Sequence, residues 1–191
     1  MNLNHQDRVA NNLNSLFVAQ SSKPAQLREI QLDTLSPFQR ALLVVDSATQ
    51  FIEAYAMEPV EILLITQRTF QLPTDHEFLE AAGGTDVVSR TVLLRGKASS
   101  TPFAYAESLL VQDRLPDPIR KGLETEGKGL GLLLRRNRIE THREMLWYGM
   151  EKGRELPAPI RHLEGESIIN RTYRIIAGGR PMMQISEKFP A

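Results

Sequence analysis

Two runs of β-branched and apolar residues flank a glycine pair near the end of the chain, in SIINRTYRIIAGGRPMMQISEKF at residues 167–189. Such runs around two adjacent glycines are typical of antiparallel strands joined by a tight turn, because glycine adopts the positive φ angles that the turn requires. We therefore predict a β-hairpin with strands at 167–177 and 181–189.

Four further strands are predicted before this hairpin. Residues 60–69 are rich in β-branched and apolar side chains, which is typical of a strand. The runs at 86–95 and 102–111 flank a polar loop with glycine, which indicates a second hairpin. Residues 139–148 are the remaining predicted strand.

Helix signals are fewer than strand signals. Ser36 and Pro37 form a typical N-cap and first-turn pair, and Ser47 is a second cap before apolar residues at helical spacing. A short helix is expected at 116–124, and residues 132–136 are expected to be helical or irregular.

About six strands, joined mostly by hairpins, predict an α+β fold in which a single antiparallel sheet has helices packed on one face. Residues 1–34 are polar and weakly patterned, so we expect a loosely ordered or helical lead-in. Residues 35–191 are expected to form one domain, and their number allows one sizeable core.

Composition limits the classes of function. Lysine plus arginine equals aspartate plus glutamate at 23 each, so the chain lacks the basic excess typical of nucleic-acid-binding proteins. It contains no cysteine, which excludes disulfides, thiolate metal sites and a cysteine nucleophile. No apolar stretch opens the chain, and its apolar runs are too short to span a bilayer. We expect a cytoplasmic protein without a membrane span.

Charged residues interrupt the apolar side of several predicted strands. Side chains two residues apart along a strand share a face. By this rule Arg90, Glu107, Arg143 and Glu187 each align with apolar residues of their own strand. An unpaired charge in a protein core costs several kcal/mol, so each of these residues requires a partner.

Two interpretations of these charges remain open. They form buried ion pairs with one another, for example Arg90 with Glu107 across the hairpin, or they line a polar pocket between the sheet and the helices. Arginine binds carboxylates in a bidentate way, so the pocket interpretation predicts a small carboxylic acid as the ligand.

Other motifs give weaker signals. The glycine-rich segment at 122–129 resembles a phosphate-binding loop, but it ends in glycine where that loop has serine or threonine. We interpret its glycines as sites of sharp turns or of close backbone approach to a ligand. The basic cluster at 135–138 is interpreted as a solvated turn. The four histidines lack metal-ligand spacing, so no metal site is expected.

Four stretches resemble chorismate lyases, in the order and at the spacing of that family. Residues 178–190 are similar to its Gly-Lys-Pro turn, apolar strand, glutamate and closing Phe and Pro. Residues 46–49 resemble its Asp-Ser-Met-Thr helix start, 89–94 its arginine strand and 129–131 its Leu-Gly turn. The resemblance covers about residues 35–190 and is closest to the divergent branch common in cyanobacteria and plastids.

The resemblance implies a ligand buried beneath flaps on the sheet. It implies that Arg90 binds the ring carboxylate, that Glu187 lies at the hydroxyl end of the ring, and that backbone near Ala48 and Leu130 contacts the ligand. Arg90 and Glu187 are thus the predicted catalytic residues. The predicted substrate-binding residues are Ala48, Thr49, Glu107, Leu130, Gly131, Arg143 and Arg174.

The implied reaction converts chorismate to 4-hydroxybenzoate and pyruvate without a cofactor, and the product would supply quinone biosynthesis. Arg143 or Arg174 is expected to hold the enolpyruvyl carboxylate. Glu187 acts either as a general base or as the group that fixes the hydroxyl while the proton passes within the substrate. Alanine at position 48, where the better-known enzymes carry methionine, is expected to widen the pocket.

Two other functions compete with the lyase. Related folds serve as effector-sensing domains, so the alternative is a non-catalytic domain that senses or carries a small aromatic acid. The third is a structural protein with buried ion pairs. The oligomeric state is left open.

Overall fold

The computed structural model describes residues 11–125 and 129–191. Its strands are β1 (Val60–Gln71), β2 (Asp86–Gly96), β3 (Pro102–Val111), β4 (His142–Lys152), β5 (Ser167–Ala177) and β6 (Arg180–Pro190). They form one antiparallel sheet in the order β1-β2-β3-β6-β5-β4. All six predicted strands are confirmed, although β4 begins and ends later than predicted.

The hairpin between β5 and β6 turns on two glycines. Gly178 has φ 57° and Gly179 has φ 76°, a backbone conformation that residues with a Cβ adopt only at a cost. A two-residue turn with positive φ at both positions matches the twist of its strands. Together with one irregularity further along, it sets a register in which Arg171 lies directly opposite Glu187.

Residues 11–14 are helical, and the remaining described residues contain four helices, at α1 (Pro37–Val44), α2 (Ala48–Ala56), α3 (Asp117–Thr125) and α4 (Leu130–Arg136). Ser36 and Gln39 cap α1 reciprocally, and the Ser47 hydroxyl accepts a hydrogen bond from Gln50 N at 3.3 Å to cap α2. These contacts satisfy amide groups that would otherwise lack partners at the helix starts. Within the described residues, no helix has the length and apolar content needed to cross a membrane.

All four helices pack on one side of the sheet, as predicted. This side, called here the helix face, carries Val92, Tyr173 and Ile185 and forms the main core with apolar residues of the helices. The opposite side, called here the far face, carries Leu93 and Tyr105, which pack against a 3-10 turn at Ala158–Leu163. Both faces of the sheet are therefore largely covered.

The segment before α1 lies against the edge strand β4. Phe17 forms a bridge to Met145, and Arg28 forms one to Met150. Phe17, Leu27 and Ile30 are buried, and part of this segment therefore belongs to the core. The boundary at residue 34 stays a prediction, and residues 1–10 lie outside the described part of the chain.

Candidate active site

A cavity of about 400 Å³ lies between the helix face of the sheet and helices α2 and α4. This volume is within the range of roughly 300–1,000 Å³ that is typical of small-molecule pockets. Apolar side chains form much of the wall. The polar and charged side chains of the lining are Ser47, Thr49, Glu53, Arg90, Ser108, Arg135, Tyr173 and Glu187.

Arg90 lies on β2 and is only 1% exposed. Ser108 stands opposite it on β3 and donates a hydrogen bond to the Arg90 carbonyl oxygen at 3.2 Å. Burial lowers the pKa of the Arg90 guanidinium, but the ordinary pKa of arginine is so high that the group stays cationic at neutral pH. A buried guanidinium that lines a cavity is well suited to bind a carboxylate.

Glu187 lies on β6 in the same cavity and is held by two neighbours on β5. Arg171 Nη2 is 2.6 Å from Glu187 Oε2, and Arg171 Nε donates to the same oxygen at 2.7 Å. The Tyr173 hydroxyl donates to Glu187 Oε1 at 3.0 Å. The carboxylate is thus fixed in orientation by two hydrogen bonds and an ion pair. The structure brings Arg90 and Glu187 together at one cavity.

Arg171 was missed by the sequence analysis, although its side chain is completely buried. Its Nη1 donates to the Val45 carbonyl oxygen at 2.7 Å, in the short link between α1 and α2. One guanidinium therefore connects Glu187 to the start of α2. The signal was available, because strand alternation places Arg171 with Ile169 and Tyr173 on the helix face.

Tyr173 connects the cavity to Arg143. Burial and the neighbouring Glu187 carboxylate raise the pKa of Tyr173, so its hydroxyl remains a hydrogen-bond donor at neutral pH. The guanidinium carbon of Arg143 lies 4.2 Å from the centre of the Tyr173 ring, a cation–π contact. Arg143 thus stacks on Tyr173 and is not part of the cavity lining.

The predicted alignment of Arg143 with both Met145 and Trp147 requires correction. The register of β4 against β5 shifts between Met145 and Trp147. This bulge adds a residue and reverses the side on which the following side chains lie. Trp147 therefore packs on the far face, with its ring centre 4.8 Å from that of Phe78.

Three predicted ligand contacts lie at helix starts beside the cavity. Thr49, Leu130 and Gly131 line it, whereas Ala48 is 2% exposed and packs in the main core. Gly129, directly before α4, lies against β1, where an added Cβ would overlap Ile62. This glycine thus allows close packing against a side chain of β1, and the predicted approach of backbone to a ligand stays a prediction. Residues 126–128 of the glycine-rich segment lie outside the described residues.

Glu107 and Arg174 lie on the far face, away from the cavity. Glu107 registers with Thr91 and Ser186 and pairs with Lys188 Nζ at 2.9 Å. The expectation that it shares a face with Arg90 is wrong, since the apolar side chains that flank it pack on the other side of the sheet.

Arg174 makes its contacts with far-face carboxylates. Its Nε lies 2.5 Å from Glu144 Oε2, and its Nη1 lies 2.9 Å from Glu80 Oε1. The odd spacing from Arg171 places the two arginines of β5 on opposite faces. Arg174 therefore lies on the far face and does not line the cavity.

Among residues 11–125 and 129–191, no three acidic or histidine side chains stand close enough together to share a metal ion. The charged groups that line the cavity are the guanidiniums of Arg90 and Arg135 and the carboxylates of Glu53 and Glu187. This arrangement can orient an acidic ring compound between a guanidinium and a hydrogen-bond acceptor.

The chain matches known proteins over most of its length. A family model described as chorismate pyruvate-lyase Rv2949c-like matches residues 42–191. A chorismate pyruvate-lyase of Mycobacterium tuberculosis is 30% identical in an alignment of 151 positions that covers 74% of this chain and 73% of that protein. One from Mycobacterium leprae is 30% identical over 147 residues, covering 74% and 68%.

Solved structures share the fold at low sequence identity. PhnF from Mycobacterium smegmatis has a TM-score of 0.60 and 10% identity, covering 97% of this chain and 94% of that one. The ligand-binding domain of a GntR-family regulator from Bordetella bronchiseptica has a TM-score of 0.52 and 17% identity, covering 68% and 84%. These likenesses confirm the α+β architecture, while the sequence matches decide the family. The chain belongs to the Rv2949c-like chorismate pyruvate-lyase family.

Proposed function

We propose that the protein is a chorismate lyase that releases 4-hydroxybenzoate and pyruvate without a metal or cofactor. The observation that carries this proposal is the joint position of two buried side chains, Arg90 and Glu187, in one cavity. Membership of the family supports the substrate. The chemistry requires little covalent help, because the ring becomes aromatic as the ether bond breaks.

Arg90 binds the ring carboxylate in this proposal. Its guanidinium offers two parallel donors, which match a carboxylate in geometry as well as in charge. The surrounding wall of Val92, Leu94 and Ala106 excludes water and so strengthens this ion pair. Fixing the acid at one end of the ring orients the rest of the substrate relative to Glu187.

Glu187 accepts a hydrogen bond from the ring hydroxyl at the other end. Arg171 Nε already donates to one of its oxygens and the Tyr173 hydroxyl donates to the other, so the carboxylate is better placed to orient the substrate than to remove its proton. The hydrogen on the ring carbon that carries the hydroxyl then passes to the methylene carbon of the enolpyruvyl group. The ring C–O bond breaks in the same step, which yields pyruvate and the aromatic product.

The test is to incubate the purified protein with chorismate and a chelator, and to measure 4-hydroxybenzoate by chromatography and pyruvate by a coupled assay. Equimolar products are expected. Arg90→Ala should lower kcat/KM by about 10²- to 10³-fold, as expected for the loss of a buried charge-assisted contact. With chorismate deuterated at the ring carbon that carries the hydroxyl, trapped pyruvate should carry the label in its methyl group.

Two results would overturn parts of the proposal. If the wild-type protein forms no product but is thermally stabilised by 4-hydroxybenzoate, the cavity serves a sensor or carrier of aromatic acids. If products form but the deuterium is lost to solvent, Glu187 or another base removes the proton, and only the orienting role of Glu187 falls.

A further inference from the structure

Arg135 is the one member of the basic cluster at 135–138 that lines the cavity. It lies in the last turn of α4, four residues after Gly131 and three after Leu132, which also line the cavity. Residues at this spacing share one side of a helix. The side of α4 that carries Arg135 therefore faces the cavity, while Leu133 and Leu134 pack in the core.

The two arginines of the cavity lie at different depths. Arg90 is buried, whereas Arg135 is exposed to solvent, which places it at the mouth. Within residues 11–125 and 129–191, no acidic side chain forms a salt bridge with Arg135. Its guanidinium is thus available to an anion that enters the cavity.

Three other arginines, among them the two predicted to hold a second carboxylate, do not line the cavity. Arg174 pairs with Glu144 and Glu80 on the far face. Arg143 lies on the helix face but stacks on the Tyr173 ring outside the lining. Arg171 is committed to Glu187 and to the Val45 carbonyl.

We propose that Arg135 binds the second carboxylate of the substrate at the mouth of the cavity and selects dicarboxylates over monocarboxylates. This inference rests on the proposed function, since chorismate carries one carboxylate on the ring and one on its enolpyruvyl ether. With the ring acid at Arg90 and the hydroxyl at Glu187, the ether side chain points to the remaining open side. In this proposal, that side is the mouth where Arg135 lies.

Selectivity of this kind has a consequence for turnover. The substrate makes contacts with both arginines, while 4-hydroxybenzoate retains only the ring acid that Arg90 holds. Arg135 therefore adds affinity for the substrate and none for this product. Because the contact is solvent-exposed, its contribution should weaken as ionic strength rises.

The test compares two probes that the protein cannot turn over. 3-(Carboxymethoxy)benzoate and 3-methoxybenzoate share the ring acid and the meta ether oxygen, and differ only in the second carboxylate. By titration calorimetry at low salt, the wild-type protein should bind the dicarboxylate about tenfold more tightly, as for a charge-assisted contact. Arg135→Ala should bind both probes equally, and Arg135→Lys should keep part of the preference.

Turnover provides the second arm. Arg135→Ala should raise KM for chorismate about tenfold and change kcat by less than about twofold, because it removes a contact made equally by substrate and transition state. Arg136→Ala is the matched control, since Arg136 is the neighbouring exposed arginine outside the lining. It should behave like the wild type in both arms.

The outcomes separate the anchor from the lyase. If Arg135→Ala keeps both the wild-type probe preference and KM, Arg135 is only a solvated residue at a helix end and the proposal is overturned. If the wild-type protein prefers the dicarboxylate through Arg135 but does not turn over chorismate, the anchor stands and the proposed lyase function fails.

Discussion

The helix face and the far face of the sheet both carry charges between apolar residues, yet they use them differently. Glu187 and Lys188 are neighbours on β6 and lie on opposite faces. Glu187 meets Arg171 and Tyr173 at the wall of a cavity, whereas Lys188 meets Glu107 and Glu151 on the far face. A charge in a strand thus indicates a partner, and only the presence of a cavity beside it indicates a ligand.

Solvent explains why the two faces differ in energy. Glu107 has half of its side chain exposed, and Glu80, a partner of Arg174, is also largely exposed. Water screens these two pairs, and their net contribution to stability is small. The far-face pairs with Glu151 and Glu144 are less exposed. The Arg171 side chain is fully buried, so its positive charge requires Glu187 as a counter-ion.

The largest expected effect is on stability, from the two arginines of β5. Arg171→Ala leaves the Glu187 carboxylate without its counter-ion and should lower the free energy of unfolding by about 3–5 kcal/mol. Arg174→Ala, on the far face of the same strand, should cost about 1 kcal/mol. Urea unfolding followed by the fluorescence of Trp147, the single tryptophan, measures both.

Arg171→Lys keeps the charge and should recover part of the lost stability. Equal losses for Arg171→Ala and Arg174→Ala would contradict the assignment of a buried, mutually dependent pair to the helix face alone.

The next effect is on activity, from the neighbours on β6. Glu187→Gln keeps the size of the side chain but weakens its hold on the substrate hydroxyl and on Arg171, and kcat/KM for chorismate should fall about 10²- to 10³-fold. Lys188→Gln removes a far-face charge and should leave kcat/KM within about threefold. Initial-rate assays measure kcat/KM for both variants, and Trp147 fluorescence verifies that each variant is folded. Similar losses of kcat/KM in the two variants would contradict different roles for the two faces.

The smallest effect is a pH dependence of stability in the loop between β1 and β2, which packs on the far face. Burial lowers the pKa of His76, whose Nδ1 accepts a hydrogen bond from Leu79 N at 3.3 Å. The unfolded chain therefore binds more protons there than the folded protein. This contribution to stability is full above the ordinary histidine pKa and is lost as pH falls through the lowered one.

His76→Asn keeps a capping acceptor but removes the titration. Between pH 7.5 and 5, the wild-type protein should therefore lose more of its free energy of unfolding than the variant does, while turnover at neutral pH stays the same in both. An equal loss in the two proteins would show that His76 does not contribute to the pH dependence.

The sequence predicted the strands well because β patterns and turn glycines are local signals. The strands at 167–177 and 102–111 have the predicted limits, and Ser36 and Ser47 cap helices as expected. Strand alternation also identified Arg90 and Glu187, because a charge among apolar neighbours is visible in the sequence alone.

Alternation could not tell which face holds the cavity. Both faces of this sheet are covered by apolar groups, so Glu107, between apolar neighbours of the far face, gives the same pattern as Arg90. The bulge at Met145 and Trp147 broke the pattern within one strand. A bulge reflects the pairing of two strands, and its position is not a property of either strand alone.

The sequence by itself determined the six strands, the glycine turn and two of the buried charges, because each depends on residues close together in the chain. Only the tertiary structure decided that Arg171 meets Glu187 and that Arg135 reaches the mouth of the cavity where Arg90 lies. These contacts join residues that are distant in sequence. They depend on strand register and on the packing of α4 against the sheet, which the whole core sets together.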